Sequence, residues 1–118
     1  MYIYKNKNPN GQFENDCTVR AISTAEGITW DEAYDKLTEL AQFNRTMPDD
    51  REFIRSYLDA YYPRVPHLPE TVGEVSGLYS ENIVLITMPN HITCSMYGVV
   101  HDTFDCRERL AEDAWIVK

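Results

Sequence analysis

Cysteine is scarce in this chain: three in 118 residues (Cys17, Cys94 and Cys106), odd in number and irregular in spacing. That disfavours a secreted scaffold stapled by disulfides and leads us to expect free thiols in a reducing compartment. Basic residues are few as well, 11 against 19 acids, for a formal charge of −8. An acidic surface repels phosphate backbones and anionic lipid, so neither nucleic acid nor membrane is an expected partner. No apolar run approaches the roughly 20 residues needed to cross a bilayer. The start, Met1-Tyr2-Ile3-Tyr4-Lys5, lacks the basic-then-apolar pattern of a secretory leader, and a cytoplasmic location is the expectation. Repeats, low-complexity tracts and interdomain linkers are missing too. What is present, 43% apolar and 12% aromatic residues, suits one globular domain over residues 1–118.

The local signals change character along the chain. Residues 1–5 alternate like an edge strand, and Asn6 to Gly11 are dense in turn formers. A first helix carries Val19, Ala21, Ile22 and Ala25 on its apolar face and stops at Gly27, a left-handed cap. Thr29-Trp30-Asp31-Glu32 is a capping box opening a second helix. Pro48-Asp49-Asp50 begins a third, ended by Pro63, and Thr71-Val72-Gly73-Glu74 caps a short fourth. Ile83 to Met88 is then a β-branched run fit for a buried strand. Pro89-Asn90 breaks it, residues 91–96 and 99–104 form a hairpin about Tyr97-Gly98, and Ala114 to Val117 close the chain as a strand. Helices followed by strands predict an α+β fold, with the N-terminal helices packed against a small antiparallel sheet.

The chemistry centres on Cys17, at the junction of a polar loop and the first helix. A free cysteine taken alone is more often a small buried hydrophobe. At a helix start, exposed N–H groups and partial positive charge favour the thiolate, the nucleophilic form. Asp16 or Asn15 can cap the helix, and Gln12 in the same loop can donate an amide N–H to a developing oxyanion, with Asn15 as the rival donor. A base and an orienting acid complete such a site. Of the histidines, His67 lies among prolines on an irregular stretch, whereas His91 stands at the mouth of a strand and is the better base. A two-residue turn at Tyr97-Gly98 pairs Met96 with Val99 and puts Asp102 diagonally beside His91. One extra residue would bring Asp105 there instead, so Asp105 is the rival orienter. The same parity sends His101 to the other face. His91-x2-Cys94 and His101-x4-Cys106 hold zinc-type donors, but alternation separates His91 from Cys94, so neither a metal nor another cofactor is expected.

A cysteine opening the first main helix, a preceding glutamine, and His and Asp on paired strands resemble the papain-like cysteine peptidase superfamily. The segment Asn15-Asp16-Cys17-Thr18-Val19-Arg20-Ala21-Ile22, with His91 and Asp102-Thr103-Phe104-Asp105, is similar to minimal phage and bacterial members. The Gln12 to Cys17 spacing also resembles the Josephin deubiquitinases. The resemblance implies a single papain-like domain over 1–118 and a cytoplasmic hydrolase, in the host cytoplasm if phage-encoded. It implies Cys17 as nucleophile, His91 as general base and acid, Asp102 or Asp105 as orienter, and Gln12 as oxyanion donor. The expected reaction is acyl transfer through a thioester on a protein or peptide substrate. A non-catalytic binding module on the same fold, a pseudoenzyme or host-directed inhibitor, is the alternative. Substrate identity and oligomeric state are not encoded in any motif.

Overall fold

A computed structural model describes residues 1–11 and 16–118. Among these residues, strand β1 (Tyr2–Tyr4) precedes four helices, α1 (Cys17–Glu26), α2 (Trp30–Phe43), α3 (Arg51–Tyr61) and α4 (Val72–Leu78). Strands β2 (Ile83–Met88), β3 (His91–Met96), β4 (Val99–Asp102) and β5 (Asp113–Ile116) follow. The α+β class is as expected.

Local chemistry explains the helix ends. Gly27 closes α1 at φ 68°, a left-handed conformation that costs glycine little. Thr29 with Glu32, and Thr71 with Glu74, form reciprocal capping boxes at α2 and α4. Helix α3 starts at Arg51, one residue beyond the expected acidic turn, because the Asp50 carboxylate accepts the Phe53 N–H and acts as the cap.

The sheet has the order β1-β4-β3-β2-β5. It corrects the expectation of an antiparallel sheet: β1 runs parallel to β4, with Tyr4 across from Asp102, while every other pairing is antiparallel. Residue alternation reports a strand's faces but not its direction, and β1 reaches its partner only after the helices intervene. Strand β4 stops at Asp102 rather than Phe104, because the Asp102 carboxylate accepts the Thr103 N–H at 2.7 Å and turns the chain off the ladder. Strand β5 begins one residue early, at Asp113, whose N–H is received by Thr87 Oγ1.

Two apolar clusters flank the sheet. Ile22, Leu37 and Leu58 of α1, α2 and α3 pack on Leu85, Cys94 and Trp115. Val72 and Val75 of α4 pack with Val84, Ile86, Val100 and Cys106 on the other. Strand β2, buried throughout, contributes to both, which is why it reads as an unbroken apolar run. Each fully buried Ile22, Leu37 or Leu58 contributes about 1.5–3 kcal/mol. Among the described residues, no helix is long and apolar enough to cross a membrane.

Candidate functional site

The hairpin turns set the position of His91. Met88 pairs with His91 across β2 and β3, and the intervening Pro89-Asn90 turn closes with Asn90 at φ 59°. At the far end of β3, Tyr97 and Gly98 both have positive φ (52° and 83°), the type I′ geometry whose twist matches the strands. Met96 therefore faces Val99 and Cys94 faces His101, the register of a two-residue turn. The ladder brings Asp102 to the imidazole: His91 Nε2 lies 2.7 Å from Asp102 Oδ2, with the two side chains only 8% and 4% exposed. Phe104 covers the ring at 4.8 Å between centroids. Asp105, the rival acid, is exposed and paired with Arg107 at 2.8 Å. His67 is exposed, and His101 sits opposite Cys94.

Cys17 is the first residue of α1, which packs along β3. Its neighbour Asp16, one of the two candidate caps, does not cap the helix by its side chain. That carboxylate is buried and engaged elsewhere: Oδ1 pairs with Arg20, and Oδ2 accepts Trp30 Nε1–H at 2.9 Å and Asn8 Nδ2–H at 3.4 Å. Asp16 thus ties the start of α1 to α2 and to the preceding loop. Gln12 and Asn15, the two candidate oxyanion donors, lie outside the described residues.

Cys17 and His91 line one cleft of about 410 Å³, together with Thr18, Arg51, Arg55 and Met88. Each of the two groups favours the charged form of the other. Since Nε2 faces Asp102, Nδ1 is the nitrogen left for the sulfur. Burial alone would raise the Cys17 pKa, yet the His91 hydrogen bond and charge outweigh it, helped by the Ile92 backbone and Arg20, and the thiol ionises below its ordinary value. Burial would likewise lower the imidazole, but Asp102 and then Cys17 push it up to about 9. Burial opposes the ionisation of Asp102, and the His91 hydrogen bond holds its pKa below the usual carboxylate value. The arrangement favours the charged forms of both groups, thiolate and imidazolium.

Cys106 was legible in the sequence only as a zinc-type donor. In the structure its Sγ lies 3.7 Å from Asp102 Oδ2, completely buried. Among the described residues, His91, Asp102 and Cys106 bring nitrogen, oxygen and sulfur within 4.8 Å of one another. A tetrahedral ion held at about 2.0 Å from a nitrogen and an oxygen keeps them about 3.3 Å apart. The 2.7 Å between Nε2 and Oδ2 is instead that of a charge-assisted hydrogen bond. The four zinc-type donors divide between two places, Cys94 opposite His101 on the ladder and Cys106 with His91.

No protein-family model, no curated protein and no solved structure matches the chain.

Proposed function

We propose that the protein is a papain-like thiol hydrolase that cleaves a peptide or isopeptide bond by acyl transfer. The observation that carries this reading is one cleft lined by both Cys17 and His91, each favouring the other's charged form, with the ring held by the buried Asp102 carboxylate. The Cys17 thiolate attacks the carbonyl carbon, forming a C–S bond as the carbonyl π pair moves to oxygen. When the tetrahedral intermediate collapses, the imidazolium gives its Nδ1 proton to the leaving amine and a thioester remains. Water then adds to the thioester as His91 Nδ1 accepts its proton. Collapse of this second intermediate breaks the C–S bond, releases the carboxylic acid and returns the thiolate beside the imidazolium, which keeps the proton taken from water. Asp102 holds Nε2 throughout and stabilises the charged ring. The first-turn N–H groups of α1, uncapped by the Asp16 side chain, supply positive potential where the oxyanion forms.

The test is reaction of Cys17 with a peptidyl vinyl sulfone at pH 7, read by mass spectrometry, beside turnover of a quenched peptide library. Cys17 should label faster than free cysteine, and His91→Ala should slow both labelling and turnover by about 100-fold or more. Labelling at the rate of an ordinary thiol, indifferent to His91→Ala, sinks the proposal and leaves the binding-module alternative.

A further inference from the structure

The Asp102 carboxylate is buried, and its partners divide unevenly. Oδ1 accepts the Thr103 N–H at 2.7 Å, with the Thr103 hydroxyl at 3.4 Å, and the Thr93 side chain also favours the ionised carboxylate. Oδ2, the oxygen that holds His91, has a second neighbour in the Cys106 thiol at 3.7 Å. Cys106 comes from the loop after β4, and that loop is anchored on α4: the Gly73 N–H donates to Arg107 O at 2.8 Å and the Val72 N–H to Arg109 O at 2.9 Å. A Cβ on Gly73 would stand 3.1 Å from Arg107 O, so α4 and this loop approach closely. The thiol's place beside the carboxylate is thus set by backbone contacts away from the cleft.

We propose that Cys106 is a positioning residue of the site, its S–H donating to Asp102 Oδ2 and keeping that oxygen aimed at His91 Nε2. This deepens the thiol-hydrolase reading, on which its role in the reaction rests. Burial, and then the charge of Asp102, push the Cys106 thiol up to about 12, so it stays protonated and a donor at every working pH. Its position in the second apolar cluster also excludes water from the back of the carboxylate.

The experiment is an NMR titration of the His91 ring nitrogens in the full chain, for wild type, Cys106→Ala and Cys106→Ser. Cys17 alkylation rates and melting temperatures are measured on the same samples. Cys106→Ala should lower the His91 pKa from about 9 towards the ordinary imidazole value, because the freed carboxylate rotates off Nε2. It should also slow Cys17 alkylation at pH 7 several-fold. Cys106→Ser, which keeps a donor, should restore both even if it melts lower. A carboxylate that had merely lost a competing donor would be a better partner and would drive the His91 pKa upward. That outcome, or an unchanged titration, overturns the proposal, as does Ser behaving like Ala. If Cys106→Ala does not fold, a Cys106→Ser titration departing from wild type in the downward direction overturns it alone. The ring titration needs no reactive thiol, so an ordinary Cys17 would defeat the hydrolase reading and leave this result separately readable.

Discussion

Asp102→Asn separates the charge of the orienting group from its shape. Near neutral pH the Cys17–His91 couple shares one proton, and Asp102 decides which group keeps it. On the thiol-hydrolase reading the carboxylate, 2.7 Å from Nε2, keeps the proton on the ring and leaves the sulfur as thiolate. Asparagine occupies the same volume but brings no charge, and an opposite charge at such range moves a pKa by about 1–3 units. The desolvation that already works against the imidazolium is then less opposed. Each unit of imidazole basicity lost shifts the shared proton tenfold towards sulfur, so iodoacetamide labelling of Cys17 at pH 7 should slow by about tenfold or more. Towards pH 10 both groups have lost their protons and the two rates should converge. Peptide mapping reads the site directly, and Cys94 and Cys106 serve as internal controls, because burial pushes both thiols up to about 12. Asp105→Asn, at an exposed acid paired with Arg107, should leave the profile unchanged. Equal labelling of wild type and Asp102→Asn at pH 7 would refute the charge argument, as would an effect of Asp105→Asn matching that expected for Asp102.

Two further outcomes concern stability. Glu26 has a nearly buried side chain and accepts from the Tyr57 and Tyr62 hydroxyls and Lys36. Glu26→Ala strands two phenols and should cost about 3 kcal/mol, roughly 10 °C in Tm by calorimetry. Burial opposes the ionisation of Glu26, but Tyr62, Lys36 and Tyr57 hold its pKa below the ordinary value. Its contribution is therefore present above the unfolded carboxyl pKa, and the gap between wild type and variant should close as pH falls below about 4. Gly27→Ala meets open space at φ +68°, so its cost is backbone strain alone. Denaturant melts should show a loss of about 1–2 kcal/mol, with Cys17 labelling unchanged.

What the sequence disclosed is what nearest neighbours along the chain decide. The Gly27 stop, both capping boxes and the two-residue turn at Tyr97-Gly98 each depend on a few adjacent residues, and the turn's parity alone carried Asp102 to His91. Features that depend on distant partners were not legible. The parallel pairing of β1 with β4 joins opposite ends of the chain. Asp16 is drawn off its cap by Trp30 and Asn8, a competition that local preference at a helix start does not contain. Glu26 looks like a solvated residue in the last turn of α1 until α3 brings Tyr57 and its successor Tyr62 over it. Cys106 lies only four residues beyond Asp102, but its path is set where α4 holds the chain just after it, at Arg107 and Arg109, and that stretch has no periodicity to announce it.

The same distinction bears on how the site is held. The His91–Asp102 contact joins two strands of the β2-β3-β4 meander, whose two tight turns and ladders fix the register. Cys17 reaches the ring from another body, through the packing of α1 on β3 and the Asp16 contacts that secure the helix start. Cys17 packs with the cluster beneath α1, α2 and α3, and Cys106 belongs to the opposite one, so the imidazole stands where the two cores meet. A slip of register moves every side chain of a strand to the other face, whereas a shift of helix packing is graded. The ring and its carboxylate are consequently held in an all-or-none manner, and the thiol's approach to the ring is the part of the geometry that repacking of α1 adjusts. Substitutions beneath α1 should therefore alter Cys17 reactivity while the His91–Asp102 pair keeps its titration.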